Sequence, residues 1–153
     1  MTERHTIAIL GGTGQEGGGL GLRWAKAGHR VIVGSRNPEK AATAATEMNR
    51  MLGQTNASGA SNWDAAEMAS IVVLTVPHAA QRSTVEEVQD SLRGKILVDA
   101  TVPLVPPRVA RVQLPPEGSA VAAIQNFLGD SVRVVSAFQN VSALERSLSQ
   151  GRL

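Results

Sequence analysis

The chain has no cysteine among its 153 residues, and aromatic residues make up only 3% of it. The lack of cysteine excludes disulfides, a catalytic thiolate and cysteine-ligated metals, and it fits a reducing compartment. Redox chemistry cannot come from the side chains themselves, so any such activity would depend on a bound cofactor. The scarcity of aromatic rings leaves few platforms on which nucleic-acid bases could stack.

A block of charge and a long apolar run are also missing. The 15 lysines and arginines and the 13 acidic residues are scattered along the sequence, which argues against a nucleic-acid partner. Residues 3–5 are charged or polar and precede only a short apolar stretch, unlike a secretory signal, and no run approaches the roughly 20 residues of a membrane span. We therefore expect a cytoplasmic protein without a membrane partner, forming one domain over residues 1–153.

A glycine-rich turn follows the first apolar run. Residues 6–10 are typical of a buried strand, residues 11–19 read GGTGQEGGG, and a helical stretch comes next. Gly12, Gly14 and Gly17 occupy the glycine positions of G-x-G-x-x-G, which permit a sharp turn, close approach of a pyrophosphate and tight packing of helix on strand. The context of strand, turn and helix favours a dinucleotide site over a plain turn.

Strand-like and helix-like segments alternate along the rest of the chain. Predicted strands cover residues 6–10, 31–35, 57–60, 71–76, 95–99 and 131–136. Predicted helices follow the glycine turn and cover residues 38–52, 62–68, 79–92, 120–128 and 142–148, with Asn37 and Ser119 as N-caps of the second and fifth. This alternation predicts an α/β fold, a Rossmann-type doubly wound parallel sheet with strand order 3-2-1-4-5-6.

The end of the second predicted strand indicates which dinucleotide binds. An NAD site usually has an acidic residue there, whereas this chain has Ser35 and Arg36, with Lys40 one helical turn further on and Thr13 in the glycine turn. Arginine can bind a 2′-phosphate with two parallel hydrogen bonds, so this cluster favours NADP. The alternative is a solvated basic face beside a helix start, where positive charge is slightly unfavourable.

Further interpretations concern particular side chains. Asp99, at the end of the fifth strand, is either a catalytic carboxylate or a cap for the turn at 101–103, and we favour the cap. His78 follows the fourth strand and is either a cofactor contact or a polar rim residue. No two histidines have metal-ligand spacing, so no metal site is expected. Trp24 and Trp63, together with Met48, Met51 and Met68, are expected to pack against neighbouring elements.

Several motifs together resemble one family along essentially the whole chain. They are ILGGTG at 9–14, GSR at 34–36 with Lys40, LTVP at 74–77, VDATVPL at 98–104, PEGSA at 116–120 and VSAFQNV at 135–141. This combination resembles the NADPH-dependent reductases of the deazaflavin coenzyme F420, and the ferric-reductase domains of the STEAP proteins look related. The resemblance implies hydride transfer between NADPH and coenzyme F420, in which the cofactors carry the reactivity and no side chain of the chain is catalytic.

The resemblance also implies particular contacts. Residues 13–16 would bind the pyrophosphate, His78 and Ala143 would lie near the nicotinamide, and the deazaflavin would stack near Val141 and the loop that begins at Phe138. The predicted cofactor-binding residues are thus Gly12, Thr13, Gly14, Gln15, Glu16, Gly17, Ser35, Arg36, Lys40, Val76, Pro77, His78, Val141 and Ala143.

Two departures from the family pattern bear on function. Glu16 places a carboxylate close to phosphates, so we expect it to face solvent or to offer only its backbone. The family continues beyond the position of Leu153 into a segment that closes over the deazaflavin and forms much of a homodimer, and we expect that segment to be absent. The alternative function is a non-catalytic NADP-binding module, or the cofactor half of a larger flavin or ferric reductase. Imine or pyrroline reductases are a third option.

Overall fold

The computed structural model describes residues 3–104 and 113–140. Strands and helices alternate as β1 (Thr6–Leu10), α1 (Gln15–Lys26), β2 (Arg30–Ser35), α2 (Pro38–Leu52), β3 (Ala57–Ser61), α3 (Asn62–Met68), β4 (Ile71–Leu74), α4 (His78–Val88), β5 (Ile96–Asp99), α5 (Ala120–Leu128) and β6 (Arg133–Ser136). Single 3-10 turns follow α4 at Gln89–Leu92 and α5 at Gly129–Ser131. Among these described helices, none is long and apolar enough to span a membrane.

The strands form one parallel sheet in the order β3-β2-β1-β4-β5-β6, which confirms the predicted topology. Leu10, the last residue of β1, is in register with Gly34 of β2 on one side and Leu74 of β4 on the other. The carboxyl ends of the three central strands therefore lie side by side. The chain runs outward from β1 in one direction and then in the other, so the gap beyond β1 and β4 is the switch point where such sheets bind ligands.

Each face of the sheet has its own apolar core, because residues of β1 alternate between the faces. Ile7 and Ile9 pack with the buried side of α1 and α2, whereas Ala8 and Leu10 belong to the core under α3, α4 and α5. All four side chains are at most 5% exposed. A central parallel strand that is buried on both faces reads as a continuous apolar run, which is the pattern that predicted it.

Gly59 explains how closely α2 packs on the edge of the sheet. A side-chain carbon added at this position would overlap the backbone of Ala41 and Ala42 in α2. The start of α2 follows the predicted capping pattern, since Asn37 Oδ1 accepts hydrogen bonds from the backbone N–H groups of Glu39 (3.0 Å) and Lys40 (3.1 Å).

Some predicted boundaries and burials were wrong. Strand β4 ends at Leu74 rather than at 76, and β6 begins at Arg133 because the residues before it form a 3-10 turn. Trp63, Met51 and Met68 are 41%, 48% and 51% exposed, whereas Met48 is buried as expected. Their apolar character predicted packing, but the buried face of α2 ends at Met48, and α3 buries only Asn62 and two alanines. The predicted helix at 142–148 lies outside the described residues.

Lys95 closes the C-terminal end of α3. Its Nζ donates hydrogen bonds to the carbonyl oxygens of Ala66 (2.6 Å) and Glu67 (2.9 Å), which are among the last carbonyls of that helix. We expect Lys95→Met to lower the free energy of unfolding by about 1 to 2 kcal/mol, because both carbonyls lose a charged donor while the apolar stem is retained. Urea titration measures the change. Lys26→Met, which alters an exposed lysine on α1, is the matched control, and an equal loss in both variants would contradict this role.

Candidate functional site

A cleft of about 470 Å³ opens at the carboxyl edge of the sheet, within the size range of small-molecule sites. Its lining combines residues of the glycine turn, the ends of β2 and β4, the start of α3 and one face of α4: Gly11, Thr13, Gly14, Ser35, Arg36, Asn62, Thr75, Val76, Pro77, Ala80, Ser83, Thr84 and Glu87. Four separate segments therefore meet around one cavity at the switch point of the sheet.

The motif glycines serve two different purposes. At Gly12 and Gly17 an added side-chain carbon would lie 2.8 Å from the Ile9 carbonyl oxygen and 2.5 Å from Thr75 Oγ1, so these glycines allow the turn to fold against the sheet. At Gly14 the nearest atom outside its own neighbours would be the Gly11 carbonyl oxygen at 3.5 Å, an ordinary contact. Gly14 lines the cleft, so the space beside it is open to a ligand.

The helix N-termini differ in how they are capped. Side-chain oxygens of Asn37, Ser61 and Ser119 accept backbone hydrogen bonds at the starts of α2, α3 and α5. Helix α1 begins after Gly14 and α4 after Pro77, and neither residue provides a side-chain cap. Both residues line the cleft. Two helices therefore direct the positive ends of their dipoles and their first backbone N–H groups to the cleft without a side-chain cap, an arrangement that favours an anion.

A cation stands at the end of β2 where an NAD site would have a carboxylate. Arg36 is exposed and lines the cleft next to Ser35, whose Oγ accepts a hydrogen bond of 3.1 Å from the Asn37 backbone N–H and so holds the turn. Lys40 is exposed on the first turn of α2 but does not line the cleft. This end of the cleft is therefore positively charged.

The cleft brings together six of the predicted cofactor-binding residues: Thr13, Gly14, Ser35, Arg36, Val76 and Pro77. Gly12 and Gly17 support the turn from behind, and Gln15 and Glu16 start α1, where Glu16 is half-buried. Lys40 and His78 lie at elements that border the cleft without lining it. Val141 and Ala143 lie outside the described residues. The structure thus places six of the fourteen predicted residues along one cavity and six more on neighbouring parts of the same elements, and their contacts with a ligand stay predictions.

His78 is the first residue of α4, and its Nδ1 is buried without a hydrogen-bond partner among the described residues. Its two interpretations, a cofactor contact and a polar residue at the rim, both stay predictions. Within residues 3–104 and 113–140, no three histidine or acidic side chains form a group that could hold a metal ion.

A buried polar network lies beside the cleft, at the ends of β5 and β6. Asp99 is fully buried, and its Oδ1 accepts a hydrogen bond from the Thr101 backbone N–H (2.9 Å), which confirms the predicted cap. Gln81 of α4 lies with its Nε2 2.6 Å from Asp99 Oδ2 and 3.2 Å from the Ala120 carbonyl oxygen. Gln139, after β6, donates to the Asp99 carbonyl oxygen (2.8 Å). The Asp99 carboxyl group therefore joins α4 to the turn after β5, and its backbone carbonyl holds the chain after β6.

Phe138 packs against the first helix. Its ring meets that of Trp24 edge-on, with 6.0 Å between the centroids, and its backbone has a φ of +68°, a left-handed conformation that is costly for a residue with a bulky side chain. The expectation that Trp24 packs against a neighbouring element is confirmed. The turn after β6 is therefore held against α1 as well as against Asp99.

Sequence reasoning missed two residues of this region, Asn62 and Gln81. Asn62 is 2% exposed, yet it lines the cleft and its Oδ1 has no hydrogen-bond partner among the described residues. Its position directly after β3 could have singled it out, because residues that follow parallel strands line the ligand crevice. Gln81 gave no comparable signal, since its role depends on how α4 packs against β5.

A model of the family described as NADP oxidoreductase, coenzyme F420-dependent, matches residues 6–103 of the chain. These residues contain the glycine turn, the end of β2 and the Val76–Pro77 wall of the cleft. The chain belongs to this family. The match agrees with the resemblance that the sequence motifs indicate.

Curated relatives of this F420-dependent oxidoreductase family are similar along most of the chain. The F420-dependent NADP reductase of Methanothermobacter thermautotrophicus is 46% identical over 143 residues, covering 90% of this chain and 62% of the relative. That of Methanocaldococcus jannaschii is 43% identical over 142 residues, covering 88% of this chain and 63% of the relative. The chain therefore spans less than two thirds of the length of either relative.

Solved structures agree with the family fold. A putative F420-dependent NADP reductase from Arthrobacter superposes with a TM-score of 0.73 at 29% identity, covering 90% of this chain and 64% of the other. An imine reductase from Bacillus cereus superposes with a TM-score of 0.60 at 20% identity, covering 87% of this chain and 40% of the other. The second likeness shows the fold alone and gives no support to imine reduction.

Proposed function

We propose that this chain binds NADP(H) in the cleft and provides the NADP side of hydride transfer with coenzyme F420. The observation that carries the proposal is the pairing of an uncapped α1 N-terminus beside Gly14 with a cation, Arg36, at the end of β2. A pyrophosphate needs the first feature and a 2′-phosphate needs the second. The relatives named F420-dependent NADP reductase support the choice of both cofactors.

The residues present fit an NADP molecule. The backbone of Thr13 and Gly14 and the first turn of α1 would hold the pyrophosphate, and Ser35 and Arg36 would hold the 2′-phosphate. Val76 and Pro77 would form the wall between the two halves of the dinucleotide. When bound, NADPH supplies a hydride, and the protein's contribution is to hold the donor ring at a fixed position and exclude water from it. The Asp99 network fixes the chain after β5, through Thr101, and the chain after β6, through Gln139.

Two measurements, made one after the other, test the proposal. Calorimetric titration of the chain with NADPH tests binding, and oxidation of NADPH in the presence of coenzyme F420, followed by absorbance, tests transfer. Binding without oxidation would support the alternative of a non-catalytic NADP-binding module. If NADPH does not bind, both the proposed function and this alternative are overturned. The homodimer and the cytoplasmic location stay predictions.

The cofactor preference depends on Arg36. We expect wild-type protein to bind NADPH more tightly than NADH, and Arg36→Ala to lose about 1.5 to 3 kcal/mol of affinity for NADPH while binding NADH almost unchanged, because only the 2′-phosphate loses its charged partner. Calorimetry with both cofactors measures the difference.

Arg133→Ala is the matched control for this change, since Arg133 is an exposed arginine on β6 and lies outside the cleft lining. An Arg36→Ala variant that kept its preference for NADPH would contradict the assignment of the 2′-phosphate to this residue.

A further inference from the structure

Glu87 is a carboxylate in a cleft whose other features favour anions. It lies on the same face of α4 as Ala80, Ser83 and Thr84, because residues three, four and seven positions apart stack on one side of a helix, and all four line the cleft. A bound NADP carries several negative charges on its phosphates. A carboxylate in its site therefore lowers affinity unless it meets a part of the ligand that donates hydrogen bonds.

Glu87 has no cation partner of its own in the part of the chain that the structure describes. Its neighbour Glu86 faces away from the cleft lining and forms an ion pair of 2.6 Å with Arg82. No such pair is formed by Glu87, although Arg36 lines the same cleft. The Glu87 carboxylate is therefore available to a ligand.

The position of Glu87 along α4 indicates which part of the ligand it meets. Helix α4 begins beside the switch point at Pro77, and a rise of 1.5 Å per residue puts Glu87 about 10 Å further along the helix axis than Ala80. The glycine turn, where the pyrophosphate would bind, is next to Val76 just before α4, since a side-chain carbon added to Gly11 would lie 2.7 Å from a Val76 methyl group. Arg36 follows β2, and Glu87 lies on the helix that follows β4. Because β2 and β4 flank β1, these two residues lie on opposite sides of the glycine turn that follows β1.

Past the pyrophosphate and the ribose of NADP comes the adenine ring, and its exocyclic amine is the only strong hydrogen-bond donor on that ring. Carboxylates accept hydrogen bonds from exocyclic amines of nucleobases, whereas they repel a carbonyl at the same position. The side of α4 that leads to Glu87 presents Ala80 and the largely buried Thr84, and these small side chains line the same cleft as Arg36.

We propose that Glu87 recognises the exocyclic amine of adenine and makes the cleft selective for adenine over other purines. This inference rests on the proposed function, because it assumes that NADP occupies the cleft. It adds a specificity residue on α4 to the phosphate-binding residues of α1 and β2. The carboxylate lowers the affinity of the cleft for anions and raises its selectivity for one base over another.

The test compares NADPH with its hypoxanthine analogue, in which a carbonyl oxygen replaces the adenine amine. Calorimetric titration of wild-type protein should show about 5- to 10-fold tighter binding of NADPH. In Glu87→Ala the preference should fall below about twofold, with weaker binding of NADPH and equal or tighter binding of the analogue. In Glu87→Gln both ligands should bind, because an amide can accept from the amine and donate to the carbonyl.

Glu86→Ala is the control, since it removes the neighbouring carboxylate and should retain the wild-type preference. Equal affinity of the wild type for both ligands would overturn the inference, as would a Glu87→Ala variant that loses affinity for both ligands alike. In either case the wild type would still bind NADPH, so the proposed function would stand. The proposed function fails separately, if the wild type binds neither ligand. Because Glu86 and Glu87 are both exposed, the melting temperatures of all three variants should be close to that of the wild type.

Discussion

A Gly14→Val variant is expected to unfold in one cooperative transition, only a few degrees below the wild type because valine is a poorer N-cap than glycine, and to show no measurable binding of NADPH. The nearest atom outside its chain neighbours to an added side-chain carbon is 3.5 Å away, so the fold accepts the first carbon of the side chain without a clash. Gly14 lines the cleft, so the same side chain would occupy the space in which we propose that the pyrophosphate binds. Calorimetry for binding and a thermal melt for stability together check the prediction.

Gly17→Ala is the matched comparison within the same motif. An alanine there would place its side chain 2.5 Å from Thr75 Oγ1 and 2.8 Å from the Gly12 Cα, so the turn must move away from the sheet. We expect this smaller substitution to lower the free energy of unfolding by about 1 to 3 kcal/mol. Retained NADPH binding in Gly14→Val, or an equal loss of stability in the two variants, would show that the two glycines do not have the separate purposes described above.

Gln81→Leu should cost about 3 to 4 kcal/mol of stability and lower the melting temperature by roughly 6 to 16 °C. The leucine would remove the donor to Asp99 Oδ2 and leave that carboxyl oxygen buried without its partner, in a part of the core where Gln81 is 4% exposed and Asp99 is fully buried. The Ala120 carbonyl oxygen would lose the same donor. Thermal and urea unfolding measure the effect, and Gln89→Leu, an exposed glutamine after α4, is the control.

Gln81→Glu separates the hydrogen bond from packing. The introduced carboxyl group can donate to Asp99 only when it is protonated, and when it is ionised it places a second negative charge beside the first. The stability that this variant retains should therefore be largest in acid and should fall as the pH rises. A loss that does not change with pH would assign the role of Gln81 to shape alone.

The order of strands was predictable because it depends on features that are local in the sequence. Local patterns predict single elements, as the apolar run does for β1, the glycine turn for the start of α1 and Asn37-Pro38 for the start of α2. The short connections between these elements then determine a parallel sheet. Element ends were less predictable. Val76 continues the apolar run of β4, but strand pairing stops at Leu74, opposite Asp99, because no neighbouring strand extends further.

The cleft was predictable where one motif supplies the chemistry, and not where distant elements meet. Arg36 and Gly14 were found from their place after a strand, a position that all such sheets use for ligands. Gln81 and Glu87 lie inside an ordinary helical pattern, and what distinguishes them is the strand end or cavity that α4 happens to face. That information depends on packing between segments far apart in the chain.

The central position of β1 has a consequence for how a ligand and the folded state depend on each other. One side of the cleft is the glycine turn, which follows β1, and the opposite side is the segment that follows β4. The cleft therefore exists only while β1 and β4 are paired. A dinucleotide bound in the cleft as we propose would therefore lie across the pairing of β1 with β4, between the two halves of the sheet. Its binding energy would oppose any fluctuation that separates the two halves. Each apolar core contains residues of both halves, so such an opening would disrupt the cleft and the two cores together.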